Sequence, residues 1–486
     1  MGLNIRNYLK KSIIYTAGAA FPPMLQLIVQ PLLEGKNRLD QVDFSQMAIA
    51  ETITSLVFTI VLFSMGSALA RFYYDYVNDK DKLSKMISTA TNSIILRGLI
   101  ILGIAIIFSD YIGSLFSQSS LQDFGSYGYL CVIVGINRAI NLSAVTIYRN
   151  EEKAVKYVTV NIVSGILRAV FQVVGVLYMD MSFIGYLYGN LIGSSIVTAY
   201  ILFDTYRTTG FSFNRSIIKD LNKFSAPLFQ YEVLSWGLMF LDRFFLEKDP
   251  AALGIYDNAL KFALGIQLIV QGLISAAQPE IFRYMAEGID KRISEIKSVS
   301  NMLIAQTQII ILVAILPTML FISLFYETEL KLSAGLISII FIRFIIRAQY
   351  NAFSIPVLFM KRTKVFFYIN SLSLIVNLIL NYLLIPIYSY YGAIIAFMAS
   401  SLLQLIMIFF IQRRTVSISW NLNKVLIYPL ALIALTIMFE ILKVRFNLNI
   451  YFTSLLQVTL IALSLSILYK KDIMKNMKIL SNKFSS

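Results

Sequence analysis

Residues 365–412 read VFFYINSLSLIVNLILNYLLIPIYSYYGAIIAFMASSLLQLIMIFFIQ and contain no aspartate, glutamate, lysine or arginine. A helix needs about 20 predominantly apolar residues to cross the hydrocarbon core of a bilayer, so this stretch is long enough for two crossings. The segment 385–392 (IPIYSYYG) divides it, because proline and glycine favour a turn. The stretch therefore predicts a helical hairpin within a membrane.

The composition of the whole chain agrees with a membrane protein. Of its 486 residues, 57% are hydrophobic and 14% are charged, and the mean hydropathy is +0.71. Soluble proteins carry about 25% charged residues, so the composition excludes a cytosolic globular enzyme and a disordered chain. The chain has no histidine and a single cysteine, Cys131, which excludes an intrachain disulfide and histidine-dependent catalysis. We expect a transporter rather than an enzyme, with no metal and no other cofactor.

Apolar stretches long enough to cross a bilayer recur along the chain, and they predict an all-α integral membrane protein with about 14 transmembrane helices. The predicted spans, numbered in chain order, are 12–33, 44–70, 88–112, 125–148, 155–179, 182–203, 223–246, 252–281, 299–326, 332–360, 365–386, 391–412, 423–442 and 449–469. Lysine and arginine concentrate in the loops on the side of the N terminus, so the positive-inside rule predicts that both termini are cytoplasmic. The net charge of +15 follows from this topology, and we expect no nucleic-acid partner.

The two halves of the chain resemble each other. Residues 70–76 (ARFYYDY), at the end of span 2, resemble residues 280–285 (EIFRYM), at the end of span 8. Asn161 likewise has a counterpart in Asn370. Because six spans separate the counterparts, the halves have the same orientation, as in transporters whose lobes are related by a pseudo-twofold axis along the membrane normal.

This repeat predicts three regions. Residues 1–215 form an N-lobe with spans 1–6, and residues 216–415 form a C-lobe with spans 7–12. Residues 416–486 contain a peripheral hairpin of spans 13 and 14 and a basic cytoplasmic tail. Two such lobes can enclose a central cavity that opens to alternate sides of the membrane.

Seven cations lie within the predicted spans, and they are Arg97, Arg138, Arg168, Arg243, Lys261, Arg343 and Arg347. A charge at the bilayer centre costs about 2.5–3.5 kcal/mol on the insertion scale, so each should face protein or water. The cations outnumber the acidic residues of the spans, which predicts an anionic ligand. Guanidinium groups suit a pyrophosphate because they bind its oxygens in a bidentate way and remain charged. Structural pairing with an acid, or extension of the side chain to the interface, is the alternative for each cation.

Some charged residues have a purely structural interpretation. Asp257 and Lys261 are four residues apart on one helix face, a spacing that predicts an ion pair. Asp242 and Arg243 are adjacent and should point in different directions, so we expect no pairing between them.

Two further features bear on the transport cycle. Glu51 and Asp242 are the candidate coupling carboxylates, through which an H+ or Na+ gradient could act, although pairing with a cavity arginine is equally compatible with their positions. Pro22 and Pro23 lie in the middle of span 1, where they predict a hinge, since proline removes a backbone hydrogen bond. A static kink is the alternative.

Four short motifs occur in a characteristic order: GSALARFY at 66–73, FSAPL at 224–228, LDRFFL at 241–246 and LGIYDNA at 253–259. Together with the order and spacing of the spans, they resemble the polysaccharide flippases (Wzx-type, for O-antigen or capsule) of the multidrug/oligosaccharidyl-lipid/polysaccharide exporter superfamily. The resemblance covers essentially the whole chain.

The resemblance implies a function. It implies that the protein moves an undecaprenyl-pyrophosphate-linked oligosaccharide from the cytoplasmic to the outer face of a bacterial inner membrane, by alternating access and with substrate contacts from cavity arginines. The implied partners are this glycan, membrane lipids, a polysaccharide polymerase and chain-length proteins, and we expect a monomer. The superfamily also contains lipid II flippases and multidrug/cation antiporters, which stand as the second and third interpretations.

Overall fold

The computed structural model describes residues 5–416 and 418–468. This part of the chain is almost entirely helical. Its β-type hydrogen bonding is an isolated bridge between Glu34 and Leu39. We number the long helices α1–α14 so that each matches the predicted span of the same number. They are α1 Ile5–Leu33, α2 Gln41–Tyr76, α3 Lys80–Ile107, α4 Phe124–Asn150, α5 Ala154–Tyr178, α6 Ser182–Thr209, α7 Arg215–Phe240, α8 Pro250–Ala286, α9 Ile293–Phe325, α10 Ile337–Phe359, α11 Lys364–Tyr388, α12 Tyr390–Thr415, α13 Asn423–Phe446 and α14 Ile450–Leu468.

Ten of the helices in the described residues are long and apolar enough to cross a membrane, namely α2–α6, α8, α9 and α11–α13. In α14, residues 450–463 form a shorter apolar helix. The prediction of an all-α, multi-pass membrane protein with about 14 helices is confirmed. The predicted basic tail lies outside the described residues.

The helices belong to two compact units. The first contains described residues up to Asp257 together with Glu327–Leu330, and the second contains Asn258–Tyr326 and the described residues from Lys331 onward. In the first unit α5 packs along α6 and α4 packs along α6; in the second, α11 packs along α12 and α10 packs along α12. These pairs are the ones that the sequence repeat relates. The predicted lobe boundaries at residues 215 and 415 stay a prediction.

Within the second unit, a buried polar cluster fixes α13 to α10. Glu440 and Lys443 of α13 form a buried ion pair. Ser338 donates its hydroxyl hydrogen to Glu440 at 2.7 Å, and the Lys443 ammonium donates to the carbonyl oxygen of Gly335 at 2.7 Å. Because α13 lies outside the repeat, the repeat gave no indication of this contact.

Within the first unit, α5 and α6 touch backbone to backbone. Gly185, Gly189 and Gly193 occur every four residues in α6, a spacing that predicts close helix packing. A Cβ atom added at Gly189 would lie 2.3 Å from the backbone nitrogen of Gln172, and one at Gly193 would lie 2.5 Å from that of Arg168. No larger residue fits without movement of the backbone, so the predicted packing is confirmed.

α2 is broken in its middle. Phe63 and Ser64 have positive φ angles of 52° and 54°, which end the segment Gln41–Leu62 before the segment Met65–Tyr76 begins. The break interrupts the hydrogen-bond ladder near Val61, and Arg97 of α3 donates its Nε hydrogen to the Val61 carbonyl at 2.9 Å. The same guanidinium lies 5.3 Å from the centre of the Phe63 ring. Arg97 therefore stabilises the break in α2.

α1 continues through its prolines. Pro22 and Pro23 lie inside the helix Ile5–Leu33. The backbone of Pro22 approaches α5 closely, because a Cβ at Gly165 would lie 3.3 Å from the Pro22 Cα atom. This approach gives the prolines a packing role against α5, and the hinge function of Pro22 and Pro23 stays a prediction.

Candidate functional site

The candidate site is a polar cluster inside the first unit, where α1, α2, α4, α5 and α6 meet. Its centre is an ion pair between Glu51 of α2 and Arg138 of α4. Two guanidinium nitrogens of Arg138 donate to the two carboxylate oxygens of Glu51 at 2.5 and 2.8 Å. The side chains remain 45% exposed for Glu51 and 27% exposed for Arg138. This bidentate geometry is the strongest form of a carboxylate–guanidinium contact, and the residual exposure leaves the pair open to a ligand.

Arg168 of α5 adds a second positive charge to the cluster. Its Nε hydrogen is donated to the carbonyl of Ser164 in its own helix at 3.2 Å. It lies within electrostatic range of Arg138 and Glu51, and among the described residues it forms no ion pair with a carboxylate. The cluster therefore holds two guanidinium groups and one carboxylate, so it has an excess positive charge and unused N–H donors on Arg168.

Amide side chains extend the cluster along α5. Gln172 lies four residues after Arg168, on the same helix face. Its side chain accepts a hydrogen bond from Gln26 of α1 at 3.1 Å and donates one to Asn190 of α6 at 3.0 Å. Tyr186 donates its hydroxyl hydrogen to Gln26 at 3.4 Å. Sequence reasoning missed these amides, although the four-residue spacing of Arg168 and Gln172 in an apolar helix was the available signal.

Arg243 occupies a different, fully paired position. Its guanidinium donates to Asp257 at 2.9 Å and to the carbonyl of Met239 at 2.8 Å, and it lies 3.4 Å from Asp242. Tyr256 donates to the second oxygen of Asp242 at 2.6 Å. The expectation that Asp242 and Arg243 do not pair is wrong, because α7 ends at Phe240 and the turn that follows folds the arginine back over both carboxylates.

The remaining predicted cations are distributed over both units. Arg97 stabilises the break in α2, as described above. In the second unit, Arg343 lies 4.7 Å from the centre of the Phe397 ring, and the exposed Arg347 lies 5.5 Å from the centre of the Tyr350 ring. Lys261 is a partly buried residue of α8. The substrate-binding roles of all seven cations and the coupling roles of Glu51 and Asp242 stay predictions.

Solved membrane-transport structures have a similar fold. A structure described as the lipid II flippase MurJ in an inward closed conformation matches with a TM-score of 0.72 and 16% identity, covering 95% of this chain and 100% of that one. An inward-facing multidrug resistance transporter of the MATE family, in the MOP superfamily, matches with a TM-score of 0.65 and 14% identity, covering 82% and 98%. A MOP superfamily transporter from Pyrococcus furiosus matches with a TM-score of 0.55 and 15% identity, covering 84% and 95%. At such identities the likeness establishes the fold alone.

The sequence itself identifies a family. No curated protein matches the chain. The family described as "Polysaccharide biosynthesis protein" matches residues 8–285, which is more than half of the chain and includes the whole polar cluster around Glu51, Arg138 and Arg168. The chain therefore belongs to the polysaccharide biosynthesis protein family, in agreement with the resemblance of its motifs, and it has the fold of the MOP superfamily transporters.

Proposed function

We propose that this protein is a flippase that moves undecaprenyl-pyrophosphate-linked oligosaccharide repeat units from the cytoplasmic to the outer face of a bacterial inner membrane, by alternating access. The family and the transporter fold support this proposal. The observation that carries it is the excess positive charge of the polar cluster, where Arg168 has no acidic partner among the described residues and lies within electrostatic range of the Glu51–Arg138 pair.

The chemistry of the cluster suits a pyrophosphate attached to a glycan. Glu51 neutralises most of the charge of Arg138, which leaves Arg168 as the cation available to an anion. The amides of Gln172 and Asn190 are buried and hydrogen-bonded to each other, so they support the polar wall behind Arg168 rather than contact sugar hydroxyl groups themselves. A glycan that entered bare hydrocarbon would lose its hydrogen bonds to water, at a cost of several kcal/mol for each unpaired group, about 2–7 on transfer scales. A polar, cationic interior lowers this barrier.

The Glu51–Arg138 pair also provides a route for energy coupling. When Glu51 binds a proton or Na+, it no longer neutralises Arg138, and the positive charge of the cluster increases by one. Binding of the anionic substrate and binding of the cation at Glu51 are then linked free energies. An inside-negative membrane potential adds about 2.3 kcal/mol per 100 mV for each negative charge that moves outward. Asp242 is the second candidate for coupling, and no other cofactor is part of the proposal.

The cellular setting follows from the same proposal. Both termini lie in the cytoplasm, as the distribution of lysine and arginine in the loops indicates. The protein works as a monomer in the inner membrane. It receives its substrate from the cytoplasmic leaflet and delivers it to a polysaccharide polymerase and to chain-length proteins at the outer face.

A lipid II-type precursor is the second candidate substrate. The likeness to the MurJ flippase over 95% of this chain supports it, and lipid II presents the same undecaprenyl pyrophosphate to the cluster. A cationic drug is the third, supported by the MATE fold. The excess positive charge disfavours it, because like charges repel within the cluster.

Transport by purified protein in liposomes tests the proposal. Fluorescent undecaprenyl-pyrophosphate oligosaccharide, lipid II and a cationic dye are supplied separately, and arrival of each at the opposite leaflet is measured. We expect transport of the oligosaccharide, with a loss of about tenfold or more in Arg168→Gln, since a factor of ten corresponds to about 1.4 kcal/mol. The matched control is Arg283→Gln, whose guanidinium is exposed and already contacts Glu280. Transport of lipid II alone would establish the second candidate, and transport of the dye alone would reject the proposal.

A further inference from the structure

Two buried carboxylates hold loops by hydrogen bonds to the backbone. The first is Glu34, which follows α1 and is 2% exposed. Its carboxylate accepts the backbone N–H of Glu327 at 2.8 Å and that of Thr328 at 2.6 Å. These two residues lie in the connection between α9 and α10. Residues Glu327–Leu330 accordingly belong to the first unit, although the helices on either side of them belong to the second.

The second carboxylate is Glu247, which follows α7 and is 3% exposed. It accepts the backbone N–H of Ser117 at 3.0 Å and that of Gln118 at 2.7 Å, in the connection between α3 and α4. The side chain of Gln118 also donates to the backbone carbonyl of Glu247 at 3.1 Å. The loop is therefore bound to Glu247 at three points.

The sequence repeat relates these two contacts. Glu34 and Glu247 lie in connections that are six helices apart, and so do the loops that they hold. Both separations are about 210 residues, close to the separation of Asn161 and Asn370. In each case, a carboxylate from one half of the sequence holds the backbone of a loop from the other half. Each of the four connections joins an odd-numbered helix to the next even-numbered one, so the predicted topology assigns all four to the same membrane face.

Both carboxylates are held by backbone N–H groups. Neither carboxylate forms an ion pair with lysine or arginine among the described residues, so backbone N–H groups alone offset the cost of burying the charge. When a loop moves away, its carboxylate needs water or a proton in place of the N–H groups. Formation or loss of these hydrogen bonds therefore distinguishes two positions of each loop.

We propose that Glu34 and Glu247 are two equivalent latches, which hold these loops in one state of the transport cycle and release them in the other. The release step rests on the alternating-access mechanism of the proposed function. The latches themselves are local contacts, and the accessibility of buried residues in the loops reports on them without any substrate.

Cysteine labelling tests the latches. Leu330→Cys and Leu121→Cys place a reporter at a fully buried position in each loop, and the natural Cys131 is buried. A membrane-impermeant maleimide is added to right-side-out and to inverted vesicles that contain the full-length protein. We expect Glu34→Gln to raise the labelling rate of the Leu330→Cys reporter about tenfold and to leave the Leu121→Cys reporter unchanged. Glu247→Gln should have the opposite selectivity.

Matched controls replace exposed carboxylates in the same loops. Glu327→Gln is the control for the loop held by Glu34, and Asp123→Asn is the control for the loop held by Glu247. Unchanged labelling in Glu34→Gln and Glu247→Gln would overturn the proposal. An equal rise at both reporters in either variant would also overturn it, because that result indicates general unfolding rather than release of one latch. Selective labelling without glycan transport would reject the proposed substrate and leave the latches standing.

Discussion

The Glu51–Arg138 pair should be energetically coupled to a measurable and intermediate extent. Its two charge-assisted hydrogen bonds, at 2.5 and 2.8 Å, would each contribute about 1.5–3 kcal/mol if fully buried. The side chains are 45% and 27% exposed, so water screens part of this energy. We therefore expect a coupling free energy of about 2 kcal/mol. This is less than the roughly 3–5 kcal/mol of stability that is lost when one partner of a fully buried ion pair is removed.

A double-mutant cycle measures this coupling. The free energy of unfolding is determined in mixed detergent micelles for the wild type, Glu51→Gln, Arg138→Gln and the double variant. The control cycle uses Arg71 and Asp75, an exposed pair within one helix at 2.7 Å, for which we expect about 0.3–0.5 kcal/mol. If the Glu51–Arg138 cycle gave no more than the control cycle, the reasoning about the polar cluster would be wrong. The electrostatic link between Glu51 and the substrate would then lose its basis.

Three other variants follow from the contacts. Arg243→Gln leaves two buried carboxylates without their shared cation, so we expect a loss of about 3–5 kcal/mol in unfolding free energy, and wild-type stability would contradict the buried pairing. Arg97→Gln removes the hydrogen bond to the Val61 carbonyl at the break in α2 and should cost about 1–2 kcal/mol by the same denaturant titration, with no change counting against a stabilising role. Gly193→Ala places a Cβ atom 2.5 Å from a backbone nitrogen of α5 and should lower the free energy of unfolding by about 1–3 kcal/mol. The control Gly103→Ala meets no atom within 4 Å and should not lower it. Equal effects of the two variants would refute the packing argument.

The fold was predictable from the sequence because each helix is an apolar stretch bounded by charges and turns. The uncharged run 365–412 gave α11 and α12 with their ends within a few residues of the structure. The spacing of Gly185, Gly189 and Gly193 likewise predicted a close-packing face on α6, since a helix has a fixed period, but it did not predict that α5 packs there. These patterns are local, and the structure reproduces them locally.

The partners of the buried charges were not predictable in the same way. Asp257 accepts a hydrogen bond from Arg243, which lies before a turn between two helices, and no sequence rule pointed to this contact. The expected ion pair of Asp257 with Lys261 along its own helix stays a prediction. Arg138 forms its ion pair with Glu51, which belongs to a helix that is distant in the sequence. Charge counting establishes that an intramembrane cation needs a partner, but the choice of partner depends on tertiary packing. The four-residue helix rule describes only one of the available partners.

The close glycine contact between α5 and α6 has a mechanical consequence for the position of Arg168 and Gln172 of α5 relative to Asn190 of α6. Most helix pairs are separated by a layer of side chains, and small rotamer changes in that layer let one helix slide past the other. Here that layer is missing at the glycines, where even a Cβ atom would collide with the backbone of α5, so little sliding is possible. The two helices must therefore move together as one rigid body. Throughout a transport cycle, Arg168 and Gln172 of α5 then keep their position relative to Asn190 of α6.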